Sequence, residues 1–145
     1  MSPTARAPVA LAPGISAAGS LDRNDIQELA LAGVRTIVNN RPDGEDPGQL
    51  PAAEARQMAE ERGIAYHHIP VTAASLSRAD VDAFAAVLAT APTPLVAHCR
   101  SGTRSTLLWA LARMRGGDDP VALVAEAARH GIDIAALPAI ASRLR

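Results

Sequence analysis

Residues 95–105, LVAHCRSGTRS, constrain the fold more than any other stretch of the chain. A short apolar run ends at Cys99, the only cysteine. A tight loop with a glycine in it closes at Arg104, and residues 106–114 read as a buried helix. A strand, a loop and a helix start around one thiol make an anion cradle. The helix start presents unpaired N–H groups and the positive end of a dipole. Arg104 adds a planar fork of donors suited to a tetrahedral oxyanion. The same field favours the thiolate of Cys99, which then becomes a nucleophile aimed at a charged group. Cys99 and Arg104 are therefore the expected catalytic pair. Arg100, Ser101, Gly102, Thr103 and Arg104 are the expected anion-binding loop. The alternative, an inert buried cysteine, gains nothing from two flanking arginines.

Around this segment the chain alternates short β-branched runs with helical patterns. Residues 8–11 and 15–18 flank Pro13 and Gly14 and read as a hairpin. Asp22 heads a helix over Ile26 and Leu29 that Gly33 ends, and residues 34–39 read as a core strand. A loop over residues 40–50, a helix over 51–62 and a strand over 64–71 follow. Ser77 and Asp80 form a capping box before Val81 and Phe84, and residues 94–98 form the central strand. Asp119 and Pro120 start a helix that stops at Gly131. Residues 133–144 read as a last helix, bent at Pro138. The pattern predicts an α/β domain with a central, mainly parallel sheet and helices on both faces. Sites in such sheets form at the carboxyl ends of strands, where the loops after Asn39, Val71 and His98 all belong. We divide the chain into an N-terminal extension, 1–13, and a single catalytic domain, 14–145.

At 145 residues the chain is long enough for one domain with a real core. A net charge of −1 and only three aromatic residues argue against a nucleic-acid partner. No apolar run reaches membrane-spanning length, and residues 1–13 lack the apolar stretch of a signal peptide, so we expect a cytoplasmic protein. One cysteine leaves Cys99 without an internal resolving partner, so an oxidised or persulfidated Cys99 must be discharged by an external thiol. His67 and His68 are adjacent on a strand and face opposite ways, so they cannot chelate one ion. We expect neither metal nor cofactor.

Among the supporting residues, His98 should point away from substrate and brace the loop by bonding its backbone. Ser105 follows the loop arginine, and its hydroxyl is expected to donate to the Cys99 sulfur. The competing role is a bond within the first helical turn. Arg100 either recruits anions or is simply solvated.

The His-Cys…Gly…Arg-Ser pattern resembles the cysteine-dependent protein phosphatases. Those enzymes separate cysteine and arginine by one residue more than the four found here, Arg100 to Thr103. The loop length is instead similar to that of single-domain rhodaneses, which move sulfur. The stretch GVRTIVNNRPDGE, residues 33–45, resembles the phosphatase-like domain of the beta-lactamase-hydrolase-like proteins, also called phosphatase-like sulfurtransferases. The resemblance spans about Pro13 to Leu144 and implies a dual-specificity-phosphatase fold with a rhodanese-length loop. It places Arg41, Asp43 and Glu45 near the site. We read Glu45 as turn chemistry and solubility, Arg41 as supporting, and Asp43 as the one local carboxylate able to reach the pocket.

A phosphatase must protonate an alkoxide leaving group, and enzymes of this fold place an aspartic acid on a mobile loop to do so. The stretch matching that loop here, residues 69–76, holds no acid. Thiosulfate loses sulfite, which needs no proton. The expected function is therefore transfer of sulfane sulfur from thiosulfate or a persulfide to a thiol acceptor through a Cys99 persulfide. The alternative is a tyrosine or dual-specificity phosphatase acting through a phosphocysteine. Arsenate reduction and a non-catalytic redox or anion sensor complete the field.

Overall fold

The computed structural model describes residues 8–144. Strands β1 (Val9–Ala12) and β2 (Ile15–Ala18) form the expected hairpin, with Gly14 at φ +77° in its turn. Helix α1 (Arg23–Leu31) starts at Asp22, in a reciprocal capping box with Asp25. Then come β3 (Thr36–Asn39), α2 (Ala52–Glu61), β4 (Ala65–His68), α3 (Arg78–Thr90), β5 (Leu95–His98) and α4 (Thr103–Arg115). Helices α5 (Pro120–Arg129) and α6 (Leu137–Arg143) complete the order. Ser77 and Asp80 make the capping box of α3, and Asp119 caps α5 with Pro120 in its first turn.

The sheet order is β1-β2-β5-β3-β4. Strand β5 lies at the centre, parallel to both β2 and β3, and β4 extends the parallel part. Only the β1–β2 pair is antiparallel. Strands β3 and β5 are buried along their whole length because helices cover both faces of the sheet. Alternation along the strands sorts their side chains. Ile37 and Val96 pack with Ile26, Leu29, Ala55 and Ala59 of α1 and α2. Val38, Leu95 and Ala97 pack with Phe84, Leu108, Leu123 and Leu137 of α3 to α6. Each large buried side chain in these layers stabilises the fold by about 1.5–3 kcal/mol. The expected α/β architecture is present, and it brings the carboxyl ends of β2, β3 and β5 to one edge of the molecule.

Two sequence expectations need correcting. The boundary at 13/14 falls inside the β1–β2 hairpin, where Val9 pairs with Ala17 and Ala10 with Ser16, so this part of the supposed extension belongs to the sheet. Residues 1–7 lie outside the described residues. Pro138 does not bend a long final helix; it sits in the first turn of α6, where its missing N–H is no loss. The preceding residues form a turn in which the Asp133 carboxylate accepts the Ala135 N–H at 2.9 Å. No helix among the described residues is long and apolar enough to cross a membrane.

Candidate active site

Strand β5 ends at His98, and the chain turns sharply over residues 99–102 into α4. Gly102 is the N-cap of α4 at φ +93°, a left-handed conformation that a side chain would strain. That turn aims the Gly102 N–H at the Cys99 sulfur, 3.1 Å away. Cys99 is fully buried, and its own N–H donates to Ala18 O at 3.3 Å. The loop after β2 packs tightly against the cysteine loop. A Cβ on Gly19 would lie 3.2 Å from Arg100 O, and the N–H and hydroxyl of Ser20 donate to that same oxygen at 3.2 and 3.3 Å.

Helix α4 has no side-chain cap, whereas α1, α3 and α5 each have one. The N–H groups of Arg100, Ser101, Thr103, Arg104 and Ser105 make no hydrogen bond among the described residues. The first bonded N–H of the helix is that of Thr106, to Gly102 O. Open donors at a helix start beside a buried sulfur are suited to an anion.

Arg104 lies over this loop. Its Nη1 donates to Glu45 Oε2 and to Val71 O, both at 2.8 Å, and its Nη2 donates to Glu45 Oε1 at 3.0 Å. The Glu45 carboxylate raises the Arg104 pKa further, burial opposes it, and the Cys99 side chain adds to the rise. Reciprocally, the hydrogen bond from Arg104 is the main cause holding Glu45 below the ordinary glutamate range. Glu45 Oε1 also accepts Arg41 Nε at 2.9 Å. Arg41 is buried, binds Ser20 Oγ at 3.2 Å and pairs with Asp46. Asp46 pairs in turn with Arg100 at 3.1 Å, so that the Arg100 guanidinium is exposed but partnered.

The sequence expectations meet this geometry unevenly. Of the loops expected after Asn39, Val71 and His98, the first and last meet through Glu45 and Arg104, Val71 reaches Arg104 through its carbonyl, and the loop after β2, which was not expected, joins them at Ser20. Glu45, read as a solubility residue, is the carboxylate in the site. Asp43, expected to reach the pocket, is exposed and accepts the Ala52 N–H at 2.9 Å, capping α2 in place of Pro51, which has no side-chain donor or acceptor. Ser105 does not donate to the sulfur; its hydroxyl donates to Asn40 Oδ1 at 2.8 Å, with both residues fully buried. Alternation along β5 puts His98 on the face of Val96, opposite Leu95 and Ala97. Its Nδ1 is buried without a hydrogen-bond partner, and burial drives its pKa down to about 3, against the opposing effect of the Cys99 backbone. The sequence held one signal for Glu45, an Arg-Glu pair four apart in a turn-rich loop leaving the same sheet edge. It did not separate Glu45 from Asp43 or Asp46. His68 Nε2 bonds Arg41 O at 2.9 Å. Among the described residues no three His, Cys, Asp or Glu side chains gather to hold a metal ion.

A parallel α/β sheet that delivers a cysteine into a loop of open N–H groups beneath an arginine defines the cysteine-phosphatase fold. The chain is similar to a candidate phosphatase of Neisseria meningitidis Z2491, with TM-score 0.82, 31% identity and coverage of 94% of this chain and 96% of the other. The structure of Tk-PTP in its active form matches at TM-score 0.74 over 99% and 96% of the two chains; at 16% identity that likeness concerns the fold alone. Residues 9–116 match the family described as beta-lactamase hydrolase-like protein, phosphatase-like domain, and the chain belongs to that family. The beta-lactamase hydrolase-like protein of Xylella fastidiosa (strain Temecula1) is 37% identical over 124 residues, covering 83% of this chain. The match spans only 28% of that relative's own length.

Proposed function

We propose that the protein moves sulfane sulfur from a small anionic donor to an external thiol through a persulfide on Cys99. One observation carries this reading: the carboxylate nearest the cradle, Glu45, is bound by two arginines and held ionised, so it has no proton to give a leaving group. The other acids of the same loop are occupied as well, Asp43 on the Ala52 N–H and Asp46 between Arg41 and Arg100. A reaction run here suits a leaving group that is stable as an anion.

In the first half-reaction the Cys99 thiolate attacks the outer sulfur of thiosulfate. A sulfur–sulfur bond forms to Cys99, the sulfur–sulfur bond of thiosulfate breaks, and its electron pair leaves with sulfite. Arg104 and the open N–H groups of the loop bind the oxyanion and its departing charge. In the second half-reaction an acceptor thiolate attacks the outer sulfur of the persulfide and restores the Cys99 thiolate.

The second reading, phosphomonoester hydrolysis through a phosphocysteine, is favoured by the family and by the Neisseria neighbour. Whole-protein mass after incubation with thiosulfate tests both, run beside para-nitrophenyl phosphate with product release followed. A gain of one sulfur that cyanide or glutathione removes, without nitrophenol, supports sulfur transfer. Steady nitrophenol release without a sulfur adduct refutes it in favour of the phosphatase.

A further inference from the structure

We infer that Asn40 is a positioning residue of the site: it takes the hydrogen of the Ser105 hydroxyl and so withholds it from Cys99, leaving the sulfur to the Gly102 N–H and the charge of Arg104. Asn40 follows β3 and is fully buried. Its side-chain nitrogen donates to Ile69 O at 3.0 Å. A carbonyl oxygen can only accept, so this bond fixes which way the amide faces. The amide oxygen is then the atom turned to Ser105, 2.8 Å away, and it too can only accept. A serine hydroxyl has one hydrogen, and here it must go to Asn40. The Asn40 backbone holds the amide in place: its N–H donates to His98 O at 2.7 Å, and its carbonyl accepts the Val71 N–H at 3.1 Å.

Ser105 stands where that hydrogen would otherwise count. It is the third residue of α4 after the N-cap, Gly102. In α1 and α3 the residue at this position, Asp25 or Asp80, reaches back to the N-cap N–H, at 2.9 Å in each helix. In α4 that N–H is taken by the Cys99 sulfur at 3.1 Å. The sulfur therefore occupies the place to which a side chain at this position turns, and Ser105 turns to Asn40 instead. A thiolate with one donor fewer is more basic and a stronger nucleophile. The inference concerns the thiolate alone and holds for either sulfur or phosphoryl chemistry.

The pH profile of Cys99 alkylation by iodoacetamide tests it. The thiolate forms a carbon–sulfur bond and iodide leaves; the reagent is uncharged, so anion binding does not enter. The parent is compared with Ser105→Ala, Asn40→Ala and the double variant. Arg104, whose charge faces the sulfur, is common to all four. Ser105→Ala should keep the parent's midpoint, because its hydroxyl gives the sulfur nothing. Asn40→Ala frees the hydrogen for the sulfur, and the midpoint should fall by about one pH unit, the weight of one hydrogen bond to a charged group. The double variant should return to the parent's midpoint. A merely loosened site would lose donors, raise the midpoint and do so in the double variant as well. A midpoint raised in Ser105→Ala, not lowered in Asn40→Ala, or still displaced in the double variant overturns the inference. If circular dichroism shows Asn40→Ala to be unfolded, Asn40→Leu, closer in volume and equally without an acceptor, takes its place with the same expectations.

Discussion

Between pH 7 and pH 5 the protein should lose about 2 kcal/mol of stability through one side chain, His98. His98 ends β5, its Nδ1 is buried without a partner, and burial lowers its pKa from 6.5 to about 3; the Cys99 backbone opposes the fall, and Arg41 and His68 add to it. The folded state therefore keeps His98 neutral where the unfolded chain takes up a proton. The contribution is fully present above the unfolded value of 6.5 and is lost as pH falls from there towards about 3. The slope is about 1.4 kcal/mol per pH unit, and pH 5 lies about 1.5 pH units below the unfolded value of 6.5, which gives the figure of about 2 kcal/mol. With a urea m-value of about 2 kcal/mol per M, the unfolding midpoint should fall by about 1 M. His98→Leu has no titrating ring, and its stability should be less sensitive to pH by this amount, whatever its absolute value. Subtracting its pH dependence from that of the parent isolates His98 from every other group. Equal losses in the two proteins would refute the reasoning.

Asp43→Ala should cost about 1 kcal/mol in urea unfolding through loss of the α2 cap, with Asp43→Asn near neutral, and neither should change turnover. Turnover lost in Asp43→Asn would restore the acid role that the geometry denies it. Ser105→Ala removes the donor to buried Asn40 Oδ1 and should cost about 1–3 kcal/mol, measured by the same unfolding. Gly102→Ala meets no steric wall, its Cβ falling 3.5 Å from Ala18 O, but it forces a side chain to φ +93°. It should cost about 1–2 kcal/mol and slow Cys99 alkylation by iodoacetate by displacing the N–H that binds the sulfur.

Much of the fold was legible because its signals are local. The caps at Asp22, Ser77 and Asp119 act within three residues, and the glycines at 33, 63 and 131 sit at positive φ where the helices end. The strand–loop–helix unit around Cys99 was legible for the same reason, since strand, Cys99, Gly102 and Arg104 are contiguous. The rest depends on where distant atoms meet. Asp43 and Glu45 lie two apart in one loop, and only the path of that loop decides that one caps a helix and the other reaches Arg104, 59 residues on. Ser105 could have satisfied itself within its own turn or on the sulfur. It bonds Asn40 because parallel pairing of β3 with β5 sets the two strand ends side by side. Pro138 misled because a proline inside a helical pattern and a proline opening a helix look alike until the residues before it are seen to turn.

The clamp on Arg104 bears on what the site can expel. The bond that fixes the guanidinium also keeps Glu45 ionised, so one carboxylate cannot both orient Arg104 and deliver a proton. Sulfite and acidic phenols leave without help; an alkoxide does not. If the protein turns over phosphate esters at all, its rate should depend steeply on the acidity of the leaving group. Nitrophenyl phosphate should be cleaved and simple alkyl phosphates left intact, measured as single-turnover rates across an aryl and alkyl series. Glu45→Gln should not flatten that dependence, because it removes no proton donor. A shallow dependence, with alkyl esters cleaved nearly as fast as nitrophenyl phosphate, would mean that a proton reaches the leaving group. The reading of Glu45 as a fixed anion would then fail, and the case for sulfur transfer would fail with it.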